Sequence, residues 1–164
     1  MTPGEPDRDR DPAGRPRSAR PRDAQGRPLR RGAAGEERVP DDLLLPPAQA
    51  LALAQRLLEA GRPFHAHEVL EASWKAAPQA ERELWRGLAQ VAVGLTHAQR
   101  GNARGAVALL RRGGRAVGSY VSGAPHDIDA AGIAEASARL AARIEADTTT
   151  PVTARDLSLR LTAG

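Results

Sequence analysis

The stretch GLAQVAVGLTHAQ, residues 87–99, decides the fold because its thirteen residues carry no charge, although an arginine stands at each end of it. The helix that it predicts has an apolar stripe on one side, formed by Leu84, Leu88, Val91 and Leu95. Gln90 and His97 lie seven residues apart on the opposite side, nearly superposed along the helix axis. A helix that is apolar nearly all round is predicted to lie at the centre of its fold, so both polar side chains need hydrogen-bond partners inside the protein.

The preceding segment HAHEVLEASW, residues 65–74, also has the spacing of a core-facing helix. Its stripe consists of Phe64, His67, Leu70, Glu71 and Trp74. A histidine and a glutamate therefore interrupt a face that should be apolar. His65 lies roughly opposite His67 around the helix and Glu68 about a quarter turn away, so we expect both at or near the surface.

A short turn at Pro78 separates the two helices, so we expect them to pack antiparallel with their polar residues at similar heights. The residues that would meet there are His67, Glu71, Gln90 and His97, with Trp74 beside them. In such a cluster Glu71 would accept a hydrogen bond from His67 or His97, which fixes the tautomer and raises the imidazole pKa. The prediction is one shared, buried polar cluster between the second and third helices.

Three interpretations of this cluster remain open. The first is a structural layer of hydrogen bonds that fixes the register of two core helices. The second is a divalent metal site, because His67, His97 and Glu71 offer two nitrogens and a carboxylate. The segment HEVLE departs from the metalloprotease pattern HExxH, since Glu71 replaces the second histidine. The third is acid–base catalysis on a small molecule, with Arg86 or Arg100 binding an anionic group. No sequence motif predicts a cofactor.

Turn and capping residues divide residues 41–146 into about five helices joined by short loops, which predicts a single all-α domain. The chain has only two Trp, one Tyr and one Phe, so leucine, valine and alanine must form most of the core. The predicted helices begin near Asp41 or Asp42 and continue at about 63–77, 79–100, 103–122 and 130–146. The architecture is an antiparallel helical bundle or a stack of helical hairpins.

The fourth predicted helix contains Gly113, Gly114 and Gly118. Each glycine costs about 1 kcal/mol relative to alanine unless a neighbouring helix needs close approach there. The core positions of this helix are predicted to be Val107, Leu110, Gly114, Val117 and Val121. Residues 147–164 form a C-terminal tail, either a loosely docked last turn or a frayed end.

Residues 1–40 hold seven prolines and five glycines among alternating arginines and aspartates. Almost no apolar residue is present to offset the entropy of ordering them, so we expect a disordered Arg/Pro-rich arm. Nucleic-acid binding through this arm and the downstream arginine block is one functional alternative. Interleaved aspartates dilute the charge of the arm, however, and it has no aromatic residue to stack on bases.

The strongest charge imbalance lies in residues 84–126, which hold six arginines and no acidic residue. A positive field of this kind attracts anions. The candidate anion-binding residues are Arg86, Arg100, Arg104, Arg111, Arg112 and Arg115. The alternative is a solvated face that acidic neighbours neutralise. His126 stands in the segment GAPHDID and is interpreted as a turn residue or helix cap.

No stretch approaches the roughly 20 apolar residues that span a bilayer, and the N-terminus lacks an apolar signal region. We therefore expect a cytoplasmic protein with no membrane partner. The chain has no cysteine, which excludes disulfides and thiolate chemistry.

Two blocks of the sequence form a recognisable pair. The first has the pattern F-x-x-HE-x-x-E-x-x-W and consists of Phe64, His67, Glu68, Glu71 and Trp74. The second consists of Gly87, Gln90, His97, Gly101, Asn102 and Ala106. With these blocks, the segment from about Asp41 to Tyr120 resembles a family of small bacterial helical proteins, the domain of unknown function family 309. The resemblance implies an all-helical fold and no established activity.

These features favour a non-enzymatic binding or scaffold protein. Grooves between helical hairpins would accept a partner helix or peptide, and the arginine block would attract an acidic one. The alternative is a metal-dependent hydrolase or another small-molecule enzyme that uses His67, Glu71 and His97. An enzyme requires the cluster to open into a pocket, whereas a structural layer is closed on all sides.

Overall fold

The structure, a computed structural model, describes residues 21–30, 34–35, 39–40 and 43–164. Within these ranges the chain is all-α, as the sequence predicts. Its helices are α1 (Pro47–Glu59), α2 (Pro63–Ala76), α3 (Arg82–Gln99), α4 (Ala103–Gly118), α5 (Ala130–Ala146) and α6 (Ala154–Leu157), and a 3-10 turn, Gln79–Glu81, precedes α3. In these ranges no helix is both long enough and apolar enough to cross a bilayer.

Each long helix packs mainly on its neighbours in the sequence, and α3 lies between α2 and α4. The stripe of α3 is buried, with Leu84 and Leu88 exposed by 0% and 1%. Trp85 is 1% exposed on the same helix. The central position predicted for α3 is therefore confirmed.

Helices α3 and α4 approach each other closely at glycines. A Cβ atom placed on Gly113 would lie 2.7 Å from the carbonyl oxygen of Gly87 and 2.8 Å from the amide nitrogen of Val91. A Cβ atom on Gly94 would lie 2.9 Å from Leu110 Cγ. At the seam between α4 and α5, a Cβ atom on Gly114 would lie 3.0 Å from the Cβ of Ser137. Gly113 and Gly114 of α4 thus serve close packing against the neighbouring helices, which is the condition under which glycine is expected inside a helix.

Two glycines in the left-handed region end α1 and α3, Gly61 with φ +69° and Gly101 with φ +79°. The fourth helix is shorter than predicted and ends at Gly118. The prediction that Val121 occupies a core position is wrong, since this side chain is 57% exposed. The chain turns after Gly118, and the hydroxyl of Tyr120 donates a hydrogen bond to the carbonyl of Ala80 at 2.9 Å.

The C-terminal segment, residues 147–164, docks on the domain. Leu157 and Leu161 are buried. The side chain of Gln55 on α1 accepts from the amide of Leu161 at 2.8 Å and donates to the carbonyl of Leu159 at 3.3 Å. Thr162 pairs with the segment that leads into α5.

Much of the predicted arm, together with Asp41 and Asp42, lies outside the described residues. Residues 21–30 are described, and they form a tight turn against α2 and α3. Arg100 donates to the carbonyl of Gln25 through Nε and Nη2, at 2.9 and 2.6 Å. Gly26 packs against the ring of Phe64 so closely that a Cβ atom would lie 2.2 Å from Phe64 Cγ.

Candidate functional site

The first predicted site residues, His67 and Glu71, form a pair within α2. His67 Nε2 lies 3.3 Å from Glu71 Oε2, and Lys75 Nζ lies 3.2 Å from Glu71 Oε1. The two side chains are half-buried, with exposed fractions of 22% and 34%. Burial lowers the pKa of His67, and the nearby charge of Glu71 only partly opposes this effect. Glu71 raises this imidazole pKa, as predicted, but burial has the larger effect and the pKa is lowered overall.

His97 has a different partner, at the turn between α3 and α4. Its Nδ1 lies 3.0 Å from Nδ2 of Asn102, the residue that caps α4 by accepting from the amide of Gly105. Because an amide nitrogen is a donor, Nδ1 accepts and the proton of the neutral ring stands on Nε2. Burial, and then the charge of Arg100, lower the pKa of His97.

The structure does not bring the predicted set into one cluster. His67 pairs with Glu71, His97 pairs with Asn102, and the half-buried Gln90 makes no side-chain hydrogen bond within the described residues. The same part of the chain contains no group of three His, Asp or Glu side chains able to hold a metal ion. The prediction of a fully buried cluster is also wrong, since His67, Glu71 and His97 are half-buried.

Helix α2 also carries Trp74 and His65. The Trp74 ring is half-buried, and the guanidinium carbon of Arg86 lies 5.9 Å from its centroid. The prediction that His65 lies at or near the surface is wrong, because its residue is only 1% exposed. Helix α2 packs on α1 as well as α3, so a second face of it is covered. Glu68 is half-buried.

Replacing Asn102 with aspartate should reverse the pKa shift of His97. Aspartate caps a helix as well as asparagine does, but its carboxylate can only accept a hydrogen bond from the ring. In the natural protein the lowered pKa makes a contribution to stability that is complete above about 6.5 and decreases as the pH falls. In Asn102→Asp we expect the pKa to lie above 6.5, so that the contribution is complete below that value and decreases as the pH rises through the new pKa.

NMR titration of the imidazole carbon-bound protons measures this change directly. His67, in the same sample, is the internal control and should titrate as it does in the natural protein. A folded Asn102→Asp variant in which the pKa of His97 stays below 6.5 would contradict the assigned hydrogen bond.

A second polar site, which the sequence analysis missed, joins the start of α3 to the turn before α5. Glu81 Oε2 accepts from the indole nitrogen of Trp85 at 3.1 Å and lies 2.9 Å from His126 Nε2. Burial opposes ionisation of Glu81, but these hydrogen bonds and the charge of His126 outweigh it and lower its pKa. His126 and Asp127 both have left-handed backbone conformations, with φ values of 59° and 56°. His126 is thus a turn residue, as predicted, and also a partner of Glu81.

Four of the six candidate anion-binding arginines line one groove. The groove runs along the seam between α4 and α5 and begins as a depression of about 560 Å³. We call it the arginine groove; its charged residues are Arg104, Arg111, Arg112, Arg115 and Glu145. The other two candidates lie elsewhere. Arg86 lies 3.6 Å from Glu83, and Arg100 binds the turn at Gln25.

A second depression, of about 690 Å³, extends the arginine groove along the same seam. It shares Arg111 and Arg115 with the first. Its other lining residues are small or apolar, namely Leu110, Gly114, Gly118, Ser119, Ala134 and Ala138. The groove therefore combines a floor without charge with a rim of guanidinium groups.

One part of the chain matches the model of a known protein family. Residues 51–109 match the model of the family described as Domain of unknown function (DUF309), which is the family that the two sequence blocks resemble. No curated protein and no solved structure matches the chain. Both sequence blocks lie inside the matched region, whereas Arg111, Arg112 and Arg115 lie beyond its end. The arginine groove is thus built partly on residues that the family match does not cover.

Proposed function

We propose that this protein is a non-enzymatic binding protein that holds an acidic, amphipathic peptide segment of a partner protein in the arginine groove. The observation that carries the proposal is the charge of the groove. Four guanidinium groups line it, and Glu145 is the one acidic residue among the residues that form the first depression. A surface of this kind accelerates the encounter with an acidic partner and selects against a basic one.

The shape and floor of the groove favour a peptide. From Arg104 to Gly118 the groove follows fifteen residues of α4, or about 22 Å at 1.5 Å per residue. Val107, Ala108 and Ile144 line the first depression, so apolar side chains of a ligand can be buried there. None of the described residues that line either depression is aromatic, which removes the stacking platform on which single-stranded nucleic acid depends.

The test is a fluorescence-anisotropy titration of the full chain with a labelled helical peptide of about 16 residues, glutamates on one face and leucines on the other. The double variant Arg104→Gln, Arg112→Gln should bind this peptide at least about tenfold more weakly, because it loses two charges of the rim. A peptide with glutamine in place of every glutamate should bind weakly to both proteins. Added salt should weaken the interaction of the natural protein with the acidic peptide.

Arg139→Gln is the matched control, because Arg139 is an exposed arginine of α5 that pairs with Glu135 outside the groove. It should leave the affinity within about twofold of the natural value. Equal weakening by Arg139→Gln and the double variant would show attraction to overall charge and would contradict the proposal. So would a single-stranded RNA that binds more tightly than the peptide and loses its affinity in the double variant.

A further inference from the structure

The positive charge of the arginine groove is not spread evenly. Arg111 forms an ion pair with Glu145 across the seam, and Nε of Arg115 donates to the carbonyl of Arg111 at 3.3 Å. Arg104 and Arg112 are exposed and have no ion pair or side-chain hydrogen bond within the described residues. In the described part of the chain, the charges of Arg104, Arg112 and Arg115 are therefore uncompensated by an acidic side chain, and Arg104 and Arg112 also have all their donors available.

A neutral donor lines the same depression. Thr148 follows the end of α5 and is exposed. The hydroxyls of Thr149 and Thr150 both donate to the carboxylate of Asp147, whereas the hydroxyl of Thr148 makes no hydrogen bond in the part of the chain that the structure describes. Two guanidinium forks and one hydroxyl thus line one depression with their donors available.

The N-terminal end of α4 adds to the positive charge of the first depression. Arg104 lies in the first turn of α4, a helix of 16 residues whose positive dipole end is directed there. The side chain of the cap, Asn102, accepts a hydrogen bond from the amide of Gly105, three residues further along the chain. Negative charge on a ligand is therefore favoured at this end of the groove over the end near Ser119.

The donor set suits a phosphate group better than a carboxylate. Four arginines against one glutamate leave three positive charges around the first depression, and one carboxylate neutralises one of them. A phosphomonoester carries about −1.5 to −2 charges at pH 7 and has three acceptor oxygens. Guanidinium forks bind such oxygens in pairs, and a hydroxyl can donate to the third.

We infer that the first depression of the arginine groove, which Arg104, Arg112 and Thr148 line, is a subsite for a phosphomonoester, so that the partner segment is a phosphorylated acidic peptide. This inference rests on the proposed function and names the chemistry of its ligand. The unphosphorylated peptide occupies the remainder of the groove with less affinity.

The experiment compares three versions of the acidic helical peptide, with serine, glutamate or phosphoserine at its end, by anisotropy with the full chain. The phosphoserine version should bind about tenfold more tightly than the serine version at pH 7.5. Thr148→Val, which removes only the hydroxyl, should reduce this preference, and Arg112→Gln should abolish most of it. Arg139→Gln should leave it unchanged. Because the second phosphate pKa is near 6, the preference should decrease as the pH is lowered to about 5.5.

The outcomes separate this inference from the proposed function. Equal binding of the serine and phosphoserine peptides would overturn the subsite and leave the peptide groove intact. If no peptide binds, the proposed function fails, and the subsite is then tested with inorganic phosphate by phosphorus NMR. A shift that Arg112→Gln abolishes would support the subsite, and no shift would overturn it. The last measurement is binding to vesicles that contain phosphatidate. If the protein binds them more tightly than it binds the phosphoserine peptide, the inference that the ligand is a phosphorylated peptide is overturned.

Discussion

Replacing Gly113 with alanine should lower the free energy of unfolding by about 2 to 3 kcal/mol, although alanine is the better helix former. The new methyl group would lie 2.7 Å from the carbonyl oxygen of Gly87 and 2.8 Å from the amide nitrogen of Val91. Both are backbone atoms of α3, so they cannot rotate away as the end of a flexible side chain can. Helices α3 and α4 must separate, and the loss of packing along the central seam exceeds the gain in helix propensity.

Gly118→Ala is the matched control within the same helix. A Cβ atom there would lie 3.4 Å from the Cβ of Ala134, an ordinary van der Waals contact. The control should therefore be neutral or stabilise the protein by up to about 1 kcal/mol. Urea denaturation at constant pH measures both variants. A Gly113→Ala protein at least as stable as the natural one would show that the two helices do not approach as closely as the structure has them.

The fold could be predicted from the sequence because its signals are local. The fifth helix has the predicted bounds, Ala130–Ala146, since a capping aspartate precedes it and a threonine run follows it. The uncharged stretch of α3 correctly predicted a central helix. The end of α4 was predicted wrongly. The turn there includes a hydrogen bond from the Tyr120 hydroxyl to the carbonyl of Ala80, and a contact between residues so distant in sequence leaves no local signal.

The site could be predicted only in part, because helical spacing identifies a face but not a partner. His67 and His97 were expected to share a cluster across two helices. Each instead has a partner nearby in the sequence, Glu71 four residues on and Asn102 five residues on. The burial of His65 could not be predicted from α2 alone, because it depends on which faces of α2 its neighbours cover, and both α1 and α3 pack on this helix. The contact between Glu81 and Trp85 could nonetheless have been predicted from the sequence. A buried indole N–H needs an acceptor, and Glu81 stands four residues before Trp85.

Loss of the Glu81 side chain should also have a large effect on the free energy of unfolding. Glu81→Ala should lower the free energy of unfolding by about 2 kcal/mol at pH 7, because the buried indole N–H of Trp85 loses its acceptor and His126 loses its partner. The pKa of Glu81 is lower in the folded protein than its usual value of 4.5. Its carboxylate therefore contributes stability that is complete above about pH 4.5 and decreases as the pH falls through the folded pKa.

Two further variants separate the hydrogen bond from the charge. Glu81→Gln keeps an oxygen acceptor for Trp85 and should cost about half as much as alanine, and its difference from the natural protein should disappear as acid protonates Glu81. Glu83→Ala removes an exposed carboxylate two residues away, 3.6 Å from Arg86, and should change stability by less than about 0.5 kcal/mol. Thermal denaturation between about pH 3 and pH 8 compares the four proteins. Equal losses for Glu81→Ala and Glu83→Ala, or a loss for Glu81→Gln that does not change with pH, would contradict the account in which Glu81 joins α3 to the turn before α5.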